Sequence, residues 1–186
     1  EGKFFALYAG NMGRFHDMET IMEAVRELSG FENIVFLFVG EGHKKSFIKD
    51  FANKWNLTNC QIHSYVKREE LGDLLSCADV GLVSLLEGQE GLSVPSKTFG
   101  LMSAGVPVIA IMSEKAEIAR VVVEENCGIV VKPGDAKALV KVIIDLYDNK
   151  QKLHEMSENA RKAIDTKYNI NKAAELYMKI IEELNY

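Results

Sequence analysis

Six short apolar runs punctuate the chain, and stretches of helical periodicity separate them. This alternation limits the fold more than any other feature. The runs cover residues 4–10, 34–39, 61–66, 79–85, 106–112 and 128–131. Continuous apolar runs of this length, without polar alternation, are strands buried on both faces. The intervening segments predict helices over 17–29, 44–55, 69–77, 114–124 and 136–147, with a further helix starting at Pro95. Asp17 is placed to cap the first helix, and Pro133-Gly134-Asp135 to form a turn that caps the helix after the sixth strand. Two more helices, over 151–166 and 171–184, close the chain. The last carries Ile170, Ala173, Ala174, Tyr177, Ile180, Ile181 and Leu184 on one side, which predicts a core-facing stripe.

Strand–helix alternation of this kind predicts an α/β fold, a Rossmann-like doubly wound parallel sheet of about six strands with C-terminal helices. Its crossovers are right-handed. In a 3-2-1-4-5-6 strand order the direction of winding reverses between strands one and four. Ligands bind beyond the strand ends at that point. The loops following those two strands, residues 10–16 and 87–97, are also the two most unusual in the chain. Topology alone brings them to one crevice.

The second loop runs into a helix whose first turn contains Lys97. The helix dipole disfavours a cation there by about 0.3–1 kcal/mol. An anion between Lys97 and the free N–H groups of Ser96, Lys97 and Thr98 would remove that penalty. A solvated lysine on an ordinary helix is the competing account. Across the crevice, Gly10 and Gly13 offer backbone that a ligand can approach, and Arg14 follows. Arginine suits bidentate phosphate binding, and pairing Arg14 with Lys97 favours phosphate over two unrelated surface cations. His16 could donate to a phosphate or a sugar. Glu87 and Glu90 could accept from sugar or ribose hydroxyls, or could simply be solvated. Ser93 and Ser96 suit helix capping or phosphate contacts better than nucleophilic attack.

Other classes are disfavoured. The G-x-G-x-x-G spacing and the Gly-Lys-Ser/Thr of a P-loop are absent, which argues against an NAD-binding domain. A net charge of −5 argues against binding nucleic acid by bulk charge. The histidines lack metal-ligand spacing, so no metal site is expected. Cys60, Cys77 and Cys127 form no C-x-x-C pair and read as reduced core thiols of a cytoplasmic protein. The chain begins without Met and enters a strand almost at once, as a piece of a longer protein would.

Several motifs occur together in a characteristic order. They are Ala9-Gly10-Asn11-Met12-Gly13-Arg14, Val39-Gly40-Glu41-Gly42, Glu90-Gly91-Leu92-Ser93-Val94-Pro95-Ser96-Lys97 and Ala104-Gly105-Val106-Pro107-Val108. Over essentially its whole length the chain resembles the C-terminal, donor-binding domain of GT-B glycosyltransferases of family 4, the glycosyltransferase group 1 domain. It is most similar to the bacterial branch that builds capsule, O-antigen or exopolysaccharide. The resemblance implies half of a GT-B fold. It implies transfer of a sugar from a nucleotide-diphosphate sugar to a glycan or lipid-linked acceptor, with retention, and with neither a metal nor a separate cofactor. It further implies an N-terminal domain bearing the acceptor site, and work in the cytoplasm at the inner face of the membrane, with peripheral membrane association. This single domain would then bind donor without turning it over.

The family's paired glutamates fall here on Leu92 and Gly100, and its phosphate-binding Arg and Lys fall on Asn11 and His16. The Pro-Ser-Lys motif redistributes those roles. Arg14 and Lys97 become the expected pyrophosphate ligands, and Glu90 a hydroxyl contact. Gly10, Asn11, Gly13, His16, Gly91, Leu92, Ser93 and Ser96 complete the expected donor site. A nucleotide-sugar epimerase half and a non-catalytic nucleotide-binding module remain as alternatives.

Overall fold

A computed structural model describes residues 2–184. Six strands form one parallel sheet: β1 (Phe4–Ala9), β2 (Ile34–Val39), β3 (Cys60–His63), β4 (Val80–Ser84), β5 (Val108–Ile111) and β6 (Gly128–Val131). Their order is β3-β2-β1-β4-β5-β6, as the alternation predicts. The helices are α1 (Met18–Glu27), α2 (Lys45–Lys54), α3 (Leu71–Ser76), α4 (Lys97–Ser103), α5 (Glu117–Glu124), α6 (Ala136–Asp148), α7 (Lys150–Thr166) and α8 (Ile170–Leu184). A single 3-10 turn, Arg68–Glu70, leads into α3.

The sheet has an apolar core on each face. Phe4, Phe36, Phe38 and Leu82 pack against α1, α2 and α6 on one side. Leu7, Val83, Val108 and Ala110 pack against α3, α4, α5 and α7 on the other. Asp17 caps α1 by accepting from the Thr20 N–H at 3.0 Å, and its other oxygen accepts from the Gly134 N–H at 3.2 Å. That second bond ties the turn before α6 to the start of α1. Asp135 caps α6 through the Ala138 N–H at 2.9 Å.

Five expectations need correction. The third strand ends at His63 instead of reaching Val66, because its ladder partner β2 ends at Val39, opposite His63. The helix in the second loop begins at Lys97, so Pro95 lies outside it. Thr98 donates its N–H to the Pro95 carbonyl at 3.2 Å and is not free for a ligand, and the Ser96 side chain makes no capping bond. The fifth helix begins at Glu117, because Ser113–Ala116 form a turn closed by the Ala116 N–H on Ser113 O. The stripe on α8 faces no core at all.

No residue of α8 is buried, and Ile170 and Leu184 are 83% and 79% exposed. The sheet face nearest in sequence is already closed by Ala160 and Ala163 of α7. Helical periodicity marks an apolar face but carries no information about what covers it. Of the three cysteines only Cys127 is buried. Cys60 is half-buried and Cys77 is exposed, so the core-thiol reading holds for one of them.

Candidate functional site

The winding of the sheet reverses between β1 and β4, and the loops leaving them do meet. Leu86, just after β4, donates its N–H to Phe15 O at 2.8 Å. The loop after β1 is also stitched to the loop after β2. Gly10 donates to Val39 O at 2.8 Å, Met12 donates to Glu41 O at 2.7 Å, and Lys44 donates to Met12 O at 2.9 Å. Backbone bonds therefore fix the floor of the crevice, with little dependence on side chains.

Lys97 leaves the first residue of α4 and reaches back across the end of β1. Its amine lies 3.8 Å from the centroid of the Tyr8 ring and 3.4 Å from the Asn11 carbonyl oxygen. It passes so near Gly10 that a β-carbon there would sit 3.4 Å from both Cε and Nζ. Burial pushes the Lys97 amine down to about 7. The π face of Tyr8 acts the other way and favours the cation. Among the described residues the amine has no carboxylate partner.

His16 Nδ1 lies 2.6 Å from the Tyr8 hydroxyl and accepts the Gly13 N–H at 3.2 Å. An Nδ1 that accepts from an amide carries a lone pair, so the ring proton sits on Nε2. Burial lowers the imidazole to about 4, and the Lys97 charge acts in the same direction. The phenol of Tyr8 is held well above its usual range by burial.

His16 makes the acid limb of stability predictable. Its folded value lies below the unfolded value of 6.5. Between the two, the unfolded chain binds more protons, so stability is full above about 6.5 and is lost as pH falls towards 4. The ring is part-exposed, which limits the effect to about 1–2 kcal/mol. Urea titrations of the wild type and His16→Gln between pH 7 and 4 are expected to show the wild type losing that much more stability.

Beside this cluster a cavity of about 370 Å³ opens between α3 and α4. Its floor is Ala9, Gly10 and Val39, at the ends of β1 and β2. Tyr65, Val66 and Arg68 form one wall, and leucines of α3 with Lys97 and Gly100 of α4 form the others. Two cations and no carboxylate line it.

Of the predicted residues, Gly10, Asn11, Gly13, His16 and Lys97 are together. Arg14 is exposed and makes no hydrogen bond or ion pair among the described residues, so it is not paired with Lys97 by any contact. Glu90 and Ser93 are half-buried on the second loop, Gly91 and Ser96 are exposed, and Leu92 is 80% exposed. None of these five lines the cavity. Tyr8, Tyr65 and Arg68 are absent from the sequence-based set. Tyr8 looks like any core residue of an apolar strand. Tyr65 is hidden by the overlong third strand. Arg68 had one available signal, its place in a loop beyond a strand's C-terminal end.

Among the described residues no helix is long and apolar enough to cross a membrane, and no group of three or more potential ligands could hold a metal ion. Residues 1–163 match the family model described as glycosyl transferases group 1. A protein named as a probable glycosyltransferase, WbjE of Pseudomonas aeruginosa, is 32% identical over 80% of this chain and 37% of its own length. With the colanic acid biosynthesis protein WcaI of Escherichia coli, the corresponding share of the relative is 34%. The chain thus spans about a third of the length of these curated relatives. Among solved structures, sucrose-phosphate synthase from Thermosynechococcus elongatus superposes with a TM-score of 0.82 at 22% identity, over 98% of this chain and 45% of that one. TarM of S. aureus, solved with UDP among its ligands, gives 0.80 at 16% identity, over 96% and 35%. At these identities the structural likeness speaks for the fold alone.

Proposed function

The chain belongs to the glycosyl transferases group 1 family, and from that premise we propose that it is the single, donor-binding domain of a glycosyltransferase. Its ligand is a nucleotide-diphosphate sugar. The observation that carries this reading is the Lys97 amine, which lies without a carboxylate partner over Gly10 at the mouth of the apolar cavity. The nucleoside enters the cavity, where Tyr65 and Val66 offer apolar surface to a base and Arg68 offers donors to its polar edge. The diphosphate sits at the mouth, against Lys97, the Gly10 backbone and the Nε2–H of His16. The sugar extends towards the loop that holds Glu90, Gly91, Leu92 and Ser93, with Glu90 accepting from its hydroxyls. Arg14, exposed on the same loop as His16, closes on the diphosphate from outside.

Breaking the bond between the anomeric carbon and its phosphate oxygen leaves negative charge on the diphosphate. Fixed donors aimed at that charge stabilise it more in the transition state than in the ground state. Lys97 and His16 supply such donors here without any metal. Transfer then requires an acceptor, a glycan or a lipid-linked saccharide, carried by a preceding domain of the longer protein. The uncovered apolar face of α8 supports contact with the rest of that protein. The reaction proceeds with retention, in the cytoplasm at the inner membrane surface. No observation favours an epimerase half or a non-catalytic module.

Isothermal titration of the chain with UDP, GDP and dTDP, each against its nucleoside, tests the reading. At least one diphosphate is expected to bind, and Arg68→Ala is expected to weaken it about five- to tenfold, the loss of one hydrogen bond. Failure of all three diphosphates to bind refutes the proposal.

A further inference from the structure

We propose that Tyr8 is the positioning residue of the anion site, holding Lys97 with its ring face and His16 with its hydroxyl, so that both donors are set before a ligand arrives. The inference rests on the donor-site reading above but adds a residue which that reading does not need.

Three contacts carry it. The Tyr8 ring lies 3.8 Å beneath the Lys97 amine, and its single hydroxyl proton is shared between His16 Nδ1 at 2.6 Å and the Asn11 carbonyl at 3.0 Å. That carbonyl also receives the Lys97 amine, at 3.4 Å. Tyr8 therefore touches the first loop twice and the α4 lysine once. Its own position is fixed. It has no exposed surface, it belongs to β1 in register with Phe38 of β2, and the two rings are 6.2 Å apart.

The chemistry follows from the geometry. A lysine side chain has rotamer entropy to lose when it meets an anion. Tyr8 confines it beforehand, between an aromatic face below and the backbone of Gly10 beside it. With the Gly13 N–H and the Tyr8 hydroxyl both at Nδ1, the imidazole keeps its proton on Nε2, which makes no hydrogen bond among the described residues. A rotated or doubly protonated ring would present a different group. Tyr8 itself touches no ligand in this scheme. It acts through the two residues that do.

The test uses Tyr8→Phe, which removes only the hydroxyl, and Tyr8→Leu, which removes the ring as well. The first readout needs no ligand. Nitrogen-15 shifts of His16 report its tautomer and its titration. The wild type is expected to show one neutral Nε2–H form down to about pH 5. Tyr8→Phe leaves only the longer Gly13 N–H bond at Nδ1 and is expected to show mixed tautomers and an upward-shifted midpoint. The second readout is calorimetry with inorganic pyrophosphate. Tyr8→Phe is expected to weaken binding about three- to tenfold, in proportion to one lost hydrogen bond, and Tyr8→Leu several-fold more, with thermal melting recorded to show that the sheet persists. An unchanged His16 tautomer and unchanged pyrophosphate affinity in Tyr8→Phe would overturn the inference. A wild type that binds neither pyrophosphate nor any nucleoside diphosphate overturns the donor-site reading instead, and the nitrogen shifts then decide the role of Tyr8 alone.

Discussion

Replacing Gly40 with alanine is expected to lower folding stability by about 3–5 kcal/mol and to spoil the crevice as well. Gly40 follows β2 with φ +146, a region that residues with a β-carbon rarely occupy. A β-carbon there would lie 2.0 Å from the carbonyl oxygen of Gly10 and 2.8 Å from its carbon. The obstacle is backbone, so no side chain can swing aside. Either the loop after β1 or the loop after β2 has to move. Both are held by the same bonds, Gly10 N–H to Val39 O and Met12 N–H to Glu41 O. Strain at φ costs about 1–3 kcal/mol and overpacking about the same. Domains of this kind are stable by only about 5–15 kcal/mol, so the loss is large. Gly72→Ala provides the control. It lies within α3, where a β-carbon meets nothing within 4 Å, and is expected to stabilise by about 0.5–1 kcal/mol. Denaturant unfolding of the two variants, followed by nucleotide titration at a temperature where Gly40→Ala is still folded, checks both halves. A Gly40→Ala chain as stable as the wild type would contradict the close approach of the two loops.

That close approach shows what a sequence of this kind discloses. Six apolar runs with helices between them are enough to define the strand order, and the strand order brings Gly10 and Lys97 to one crevice. Those steps depend on periodicity and connection rules, which are local or topological. The direction of a side chain is neither. Lys97 looks like a cation misplaced at a helix start, yet its amine reaches back over the Tyr8 ring in β1. Arg14 sits in the right loop and meets none of the cluster. Tyr8 follows Leu7 in an unbroken apolar strand, and only its neighbours across the crevice give its hydroxyl work. The wall formed by Tyr65 and Arg68 depends on where β3 stops, which β2 decides by running out of partners at Val39. The face of α8 is a similar case. Its periodicity was legible, but its exposure depends on α7 having already closed that side of the sheet.

Lys97→Met tests the centre of the proposed function and is expected to weaken nucleoside-diphosphate binding about 10- to 100-fold, or about 1.5–3 kcal/mol for a charge-assisted contact. The fold is expected to survive. Lys97 contributes one ring contact and one long hydrogen bond to the free chain, and methionine retains the apolar stem. The dependence on pH separates this role from a structural one. With the amine at about 7 in the free chain, a bound diphosphate favours its charged form and raises that value. Affinity is therefore expected to fall as pH rises above about 7, until the raised value of the complex is passed. Stability of the unliganded chain moves the other way. The folded value lies below the 10.5 of the unfolded lysine, so between about 7 and 10.5 the unfolded chain binds more protons. Stability then rises with pH across that window. One lysine thus predicts affinity and stability with opposite slopes over the same range, and both slopes should flatten in Lys97→Met. Calorimetric titrations and urea unfolding at pH 6.5, 8 and 9.5 measure them. Affinity that is flat with pH in the wild type, or undiminished in Lys97→Met, would remove Lys97 from the diphosphate and refer the anion to Arg14.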